Sequence, residues 1–250
     1  MSGPHASTEV RTDLLEGVEK VDLSPWFNPF LRSFAQETVR CGGEVRTVRD
    51  DRGVVEGLSV WDPIERVATV FTRSRAIAER VVRERGSYGV FCDFSFEDVA
   101  EPYDIFSIHL GHEELVHRFR HSIRSYGPTD RADVVGLMRE VYGLVNERWF
   151  DGLPSRNEVG FVAEINGRVI GVAWVARAGD AARLHSLTVR PPCRRMGIGS
   201  DLLAARLLWS RRVGARTVVS EIARLNVPSR TLAERSGMQR DGEIFFHRPR

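Results

Sequence analysis

Two apolar runs of strand length, Val159 to Ile165 and Arg168 to Val175, are separated by Asn166-Gly167. Asparagine followed by glycine supplies the positive φ angles that a two-residue turn demands, so the pattern predicts a hairpin. A third run, from about Arg183 to Val189, leads through Pro191 and Pro192 into a stretch with apolar residues at 202, 203, 207 and 208. The period has changed from two to 3.6, which predicts a helix over about Asp201 to Trp209. Arg216 to Ile222 reads as a buried strand, and Asn226 as the cap of a second helix with Pro228 tolerated in its first turn. Gly237 ends that helix, and Glu243 to His247 forms a final strand.

The first half carries weaker patterns. Pro29 to Cys41 is compatible with a helix whose apolar face is Phe30, Phe34 and Val39. Val45 to Val48 and Val54 to Trp61 form a hairpin pattern across Asp50-Asp51-Arg52-Gly53. Arg75 to Arg85 reads as a helix, and Tyr88 to Phe94 and Asp104 to Leu110 as strands. Residues 1–24 are polar and aperiodic, which predicts a mobile N-terminal arm. Residues 25–115 are expected to be an α/β domain, and residues 118–250 a second one. Because hairpin, helix, strand is also the order of the later half, the first domain is either a degenerate copy of the second or an unrelated cap. A cap would shape a pocket or build a homodimer.

Chemistry concentrates where the third strand meets the helix, at Arg194-Arg195-Met196-Gly197-Ile198-Gly199. The two glycines let backbone approach a ligand closely, and the helix start presents unpaired N–H groups and the positive dipole end to an anion. A nucleoside-triphosphatase loop would end in Gly-Lys-Ser/Thr, yet the only lysine is Lys20. A dinucleotide turn needs a third glycine three residues after Gly199, where Leu202 stands. The segment resembles motif A of the GNAT acetyltransferase superfamily, Arg/Gln-x-x-Gly-x-Gly/Ala, at Arg194, Gly197 and Gly199. Asn226, Gly237 and Met238 resemble the superfamily's C-terminal signature, and the likeness extends over roughly residues 118–250.

That resemblance implies an α/β (α+β) fold with a mixed, mostly antiparallel sheet flanked by helices. It implies acetyl-CoA as cosubstrate and an amine as acceptor: a small molecule, a peptide N-terminus or a lysine. Its pyrophosphate would be held by Arg194, Arg195, Met196, Gly197, Ile198, Gly199 and Ser200, and its pantetheine arm by the backbone of Leu187, Thr188 and Val189, with Asn226 a further contact. One N–H of that strand would stabilise the oxyanion formed when the amine attacks the thioester.

Two side chains are candidates for the base that deprotonates the ammonium. His185 titrates in the right range, and strict alternation would place it on one face with Leu187 and Val189. Glu221 lies five residues before Asn226, a place where a glutamate resembles the Leu-Glu-Val…Asn run of N-terminal alanine acetyltransferases. The structural alternatives are a hydrogen-bonded core histidine and an arginine-paired glutamate. Many members carry a tyrosine, as acid for the departing thiolate, where this chain has Ala233. A positioned acid is worth about 10²–10⁴-fold, but a free thiol has a pKa of about 8.5 and leaves tolerably well unaided. The alternative function is therefore a silent domain that binds acyl-CoA as a sensor or regulatory module. Cys193 lies near the loop without a dedicated base, which argues against a covalent intermediate.

Composition adds exclusions. His109, His112, His117 and His121 surround Glu113 and Glu114, but the spacing of His112 and His117 is not His-Glu-x-x-His, so a solvated linker helix is expected and no metal. Trp149, Phe150 and Tyr142 read as helix core or one wall of the acceptor site. A net charge of +2 without a basic tract argues against nucleic acid as main partner. Three scattered cysteines, no signal-like start and no long apolar run predict a cytoplasmic protein that does not enter a membrane.

Overall fold

The computed structural model describes residue 38 and residues 42–248 apart from 50, 51, 65, 85, 87, 97–99, 112–114, 144 and 154–156. The expected N-terminal arm, almost all of the helix expected from Pro29 to Cys41, and His112, Glu113 and Glu114 lie outside the described residues.

In chain order the elements are β1 (Glu44–Arg49), β2 (Val55–Asp62), β3 (Val67–Thr72), α1 (Arg75–Glu84), β4 (Gly89–Cys92), β5 (Glu101–His109), β6 (Ser122–Ser125), α2 (Arg131–Tyr142), α3 (Arg148–Gly152), β7 (Glu158–Ile165), β8 (Arg168–Ala178), β9 (Ala181–Val189), α4 (Ile198–Arg212), β10 (Thr217–Ala223), α5 (Val227–Arg235) and β11 (Gln239–His247). Sequence pattern anticipates most of these. Among the misses are β3 and β6, and β11 begins four residues before its expected start at Glu243.

All strands join one sheet in the order β1-β2-β3-β4-β11-β5-β10-β9-β8-β7-β6. Apart from the edge strand β6, the order is symmetric about the β11–β5 pair: β1, β2, β3 and β4 stand opposite β7, β8, β9 and β10. Among the described residues only β3–β4 and β9–β10 are parallel, and each is bridged by a helix, α1 or α4, as a parallel connection requires. The expected mixed, mostly antiparallel sheet flanked by helices is therefore present.

The symmetry includes an exchange. β5 follows β4 in the chain but pairs with β10 and β11, whereas β11 pairs with β5 and reaches across to β4. Residues 101–109, grouped by sequence with a domain ending at 115, thus complete the sheet of residues 118–250. Asp104 on β5, 1% exposed, locks the exchange. It pairs with Arg224 at 3.1 Å, Arg230 at 2.9 Å and Arg240 at 2.9 Å, all from the second half.

Helices cover the second half of the sheet on two sides. Leu203 and Leu207 of α4 and Ala233 of α5 pack with Ala182, Leu184 and Val218. On the other face, Val134, Val135 and Leu137 of α2, with Trp149 and Phe150 of α3, meet Val162, Val172 and Trp174. Burying each of these larger side chains is worth roughly 1.5–3 kcal/mol. α4 comes so close to β8 that a Cβ on Gly171 would stand 3.0 Å from Leu202 and 3.1 Å from Ile198, so glycine sets that spacing. In the first half, α1 lays Ile77, Ala78, Val81 and Val82 over Val70, Val90 and Cys92. Among the described residues no helix is long and apolar enough to cross a membrane.

Candidate active site

β9 and β10 are paired only from Ala181–Arg183 to Thr217–Val219. Beyond Arg183 the strands part, and Ser220 Oγ donates to the Leu184 carbonyl at 3.1 Å across the start of the gap. The gap opens into a cleft of about 630 Å³, the right size for a small ligand. Its walls include Leu184 to Leu187, Ser220 to Ala223, and Tyr142 and Trp149 from α2 and α3. Val67 and Tyr103 of the first half also line it, so both halves build one site.

A bulge shapes the β9 wall. Val172 pairs with Thr188 and Trp174 with His185, which leaves Ser186 and Leu187 opposite Ala173 alone, and Ser186 takes φ +50°. The extra residue corrects the face expected for His185. Leu187 and Val189 turn to the α4 side, against Ile198 and Leu202, while His185 stays on the α2–α3 side with its ring 6.0 Å from that of Trp149. Strict alternation fails because the strand gains one residue between them.

The strand-to-helix connection forms a cradle. Arg195 has φ +65° and Gly197 φ +91°, conformations that turn the chain sharply into α4. The first backbone bonds of the helix come from Ser200 and Asp201 to the Gly197 carbonyl, so the N–H groups of Gly197, Ile198 and Gly199 precede the ladder. Arg194 is steadied through Nε, which donates to the Val189 carbonyl at 3.1 Å. Gly199 stands beside the cleft: a Cβ there would lie in ordinary contact with Leu232 at 3.4 Å and Leu187 at 3.7 Å, both of which line it. Donors of this type, at a helix start with two arginines, suit a pyrophosphate.

Behind the cradle, Asp201 is 1% exposed and receives four donors. His117 Nε2 lies at 2.7 Å, His121 Nδ1 at 2.8 Å, and the backbone N–H groups of Arg120 and His121 at 3.1 and 3.0 Å. Burial pushes the Asp201 carboxyl up, but the four donors outweigh it and hold the group below its ordinary value. The segment expected to be a solvated linker helix is instead non-helical over 115–120 and clamped to α4. The backbone N–H groups of Arg120 and His121, which a helix would bond within its own ladder, go to the Asp201 carboxylate instead. Among the described residues no cluster of three potential metal ligands occurs.

Titratable groups gather on the α2–α3 side of the cleft. His185 Nε2 stands 3.8 Å from Glu158 Oε2, both nearly buried. Glu221 Oε2 accepts from Arg183 Nε at 3.0 Å. The two candidate bases therefore share one face, each with a charged neighbour. Ala233 is buried against Met238 and Leu184 and offers no hydroxyl. Tyr142 does: its hydroxyl is 2.9 Å from Thr188 Oγ1, just past the bulge. Tyr126, by contrast, packs 4.9 Å from Trp174 within the core. Tyr103 is pushed up to about 12 by burial, helped by the charges of Glu101 and Glu221. Asn226 lines the cleft and caps α5, accepting from Ser229 N at 3.3 Å. Cys193 precedes the cradle as a free thiol.

Residues 130–238 match the acetyltransferase (GNAT) family. Among solved structures, a Drosophila protein is 18% identical with a TM-score of 0.65, over 95% of this chain and 95% of that one. A GCN5-related N-acetyltransferase from Sphaerobacter thermophilus is 15% identical with a TM-score of 0.59, over 82% of this chain and 79% of its own. A tandem GNAT protein from the clavulanic acid biosynthesis pathway is 15% identical with a TM-score of 0.56, over 82% of each chain. At these identities the likeness is one of fold. No curated protein matches the sequence.

Proposed function

Because residues 130–238 form a domain of the acetyltransferase (GNAT) family, we propose that this chain is an N-acetyltransferase that moves an acetyl group from acetyl-CoA to a primary amine by direct attack in a ternary complex. The observation that carries this reading is the cleft between β9 and β10, whose lining residues Leu187 and Leu232 are the nearest neighbours of Gly199 in the Arg194–Ser200 cradle. The coenzyme would supply the activated thioester. The chain's own residues bind and orient it: Arg194, Arg195 and the N–H groups from Met196 to Ser200 take the pyrophosphate, the β9 edge at Leu187, Thr188 and Val189 takes the pantetheine arm, and Asn226 closes the far wall.

On the other side of the sheet, His185 receives the acceptor's proton, oriented by Glu158, while Glu221 with Arg183 fixes the amine. Tyr142, held at Thr188, replaces the hydroxyl missing at Ala233 as proton donor to the departing sulfur. Trp149 and Tyr142 form the apolar wall of the acceptor site, with Val67 and Tyr103 brought by the first half, which serves as a degenerate copy without a coenzyme loop. Free Cys92 and Cys193 suit a reducing cytoplasm.

Calorimetric titration with acetyl-CoA, followed by thiol release against amines, N-terminal peptides and lysine peptides, tests the reading. Binding with amine-dependent release is expected. Binding without release under every acceptor would favour the sensor, which Ala233 alone supports.

A further inference from the structure

Arg206 lies in the middle of the buried stripe of α4, beside Leu202, Leu203 and Leu207, and is 4% exposed. Helical spacing there calls for an apolar side chain. Its Nη1 makes two long contacts, 3.3 Å to the Trp174 carbonyl and 3.4 Å to the His185 carbonyl, and its Nε has no acceptor. No carboxylate among the described residues is in ion-pair contact with it, whereas Arg183, which lines the cleft from the other face, has Glu221. Burial pushes Arg206 down to about 9, which leaves it a cation at neutral pH. Removing a guanidinium from water costs several kcal/mol, and two stretched bonds to neutral carbonyls do not offset that. An anion that arrives with a ligand does.

The position of Arg206 selects which anion. Gly197 and Arg206 lie about 13 Å apart along α4 at 1.5 Å per residue, so the cradle and its pyrophosphate are out of reach. Arg206 approaches from the α4 face and lines the cleft with Leu203, Leu184 and Ser220, at the closed end where the β9–β10 ladder stops. The acceptor groups His185, Glu158, Glu221 and Arg183 occupy the opposite face. His185, whose carbonyl Arg206 touches, immediately precedes the bulge at Ser186. A group extending from a thioester seated at the bulge toward the closed end would meet the guanidinium after a few bonds.

We infer that Arg206 receives a carboxylate at the far end of the acyl group, so that the preferred donor is a coenzyme A thioester of a short dicarboxylic acid. The inference rests on the coenzyme-thioester reading above and narrows its acyl group. In the transfer, the amine nitrogen bonds to the acyl carbon, the C–S bond breaks with its electron pair leaving on sulfur, and the proton lost by the amine ends on the thiol. The distal carboxylate is unchanged and serves only for recognition.

Calorimetry on the intact wild-type chain compares succinyl-CoA with butyryl-CoA, which has the same chain length and a methyl in place of the carboxylate, and with CoA alone. Succinyl-CoA should bind at least about tenfold tighter than butyryl-CoA, a difference of about 1.4 kcal/mol. In Arg206→Met the two thioesters should bind alike. Equal affinities in the wild type, with CoA still bound, overturn the inference and leave the coenzyme reading standing; no binding of CoA overturns both. A succinyl preference that persists in Arg206→Met also overturns it, as does turnover that depends on a carboxylate on the amine and not on the acyl group. If Arg206→Met does not fold, the wild-type comparison decides alone.

Discussion

Each half of the sheet sets a hairpin and a third strand against a helix and a parallel fourth strand, yet the two differ in how the third strand leaves its hairpin and reaches its helix. In the first half, β3 pairs with β2 in unbroken register from Gly57–Thr72 to Asp62–Val67. It reaches α1 through Arg73 and Ser74 alone, with the Ser74 hydroxyl accepting from Ile77 N at 3.4 Å. Tyr88, Phe94 and Phe96 close over the core beneath α1. In the second half, one extra residue bulges β9 at Ser186–Leu187, and residues 190–197 separate strand from helix. The architecture is shared, so the second half differs from the first by two local insertions on a common frame.

The sharpest way to break the contrast is Gly197→Trp, which forces a bulky residue into φ +91° at the cradle and should abolish measurable acetyl-CoA binding in calorimetry. The counterpart change, Ser74→Trp, should cost about 1 kcal/mol of stability through the lost cap and leave coenzyme affinity within about twofold. Unaltered affinity in Gly197→Trp would remove the cradle from the account. Next in size, His185→Ala should lower kcat about 10²–10⁴-fold and flatten the rise of rate with pH, with coenzyme affinity retained. A wild-type pH profile in that variant assigns the base elsewhere, Glu221 first. Asp104→Ala leaves three arginines without their shared buried partner and should lower unfolding free energy by about 3 kcal/mol in denaturant titrations, loosening the join between halves.

The smallest effect distinguishes the halves by pH. Burial raises Asp93, just after β4, to about 6 from an ordinary 3.8, whereas the donors around Asp201 hold it low. For Asp93 the folded chain binds the extra proton, so its contribution is present below about pH 4 and lost as pH rises through 6. Asp201 contributes above its unfolded pKa and loses that contribution as pH falls through its lower folded value. Asp93→Asn should therefore raise Tm by a few degrees at pH 7 and little at pH 4, and Asp201→Asn should lower Tm at pH 7 with a shrinking effect in acid. Parallel slopes in the two variants would show that the two carboxylates sit in like environments.

How much of this could be read in advance differs by kind of contact. The cradle was legible because two glycines between an apolar run and a helical period have few other uses. The hairpin at Asn166-Gly167 was legible for the same local reason. His185 was found as a residue but put on a face with Leu187, because Ser186 gives no glycine-like signal of its positive φ. Tyr142 reads as helix core or acceptor wall, and its hydrogen bond to Thr188 is hidden because that partner lies on a distant strand. The clamp of His117 and His121 on Asp201 was hidden by separation along the chain, and so was the exchange of β5 and β11. Arg206 reads as one arginine among many in the sequence, and only the structure shows it buried, at 4% exposure.

The exchange also sets an order of events for a chain folding as it is made. Once residues 89–92 have emerged and aligned beside β3, their far edge lies bare until residues 239–247 arrive to cover it. β5 waits in turn for β10 and β11. Pairings of such long sequence separation close slowly, and an uncovered strand edge is the place where one nascent molecule captures another. Folding on synthesis should thus end in a single late step that finishes both halves together, and the yield of folded protein should depend on how well that waiting edge is shielded.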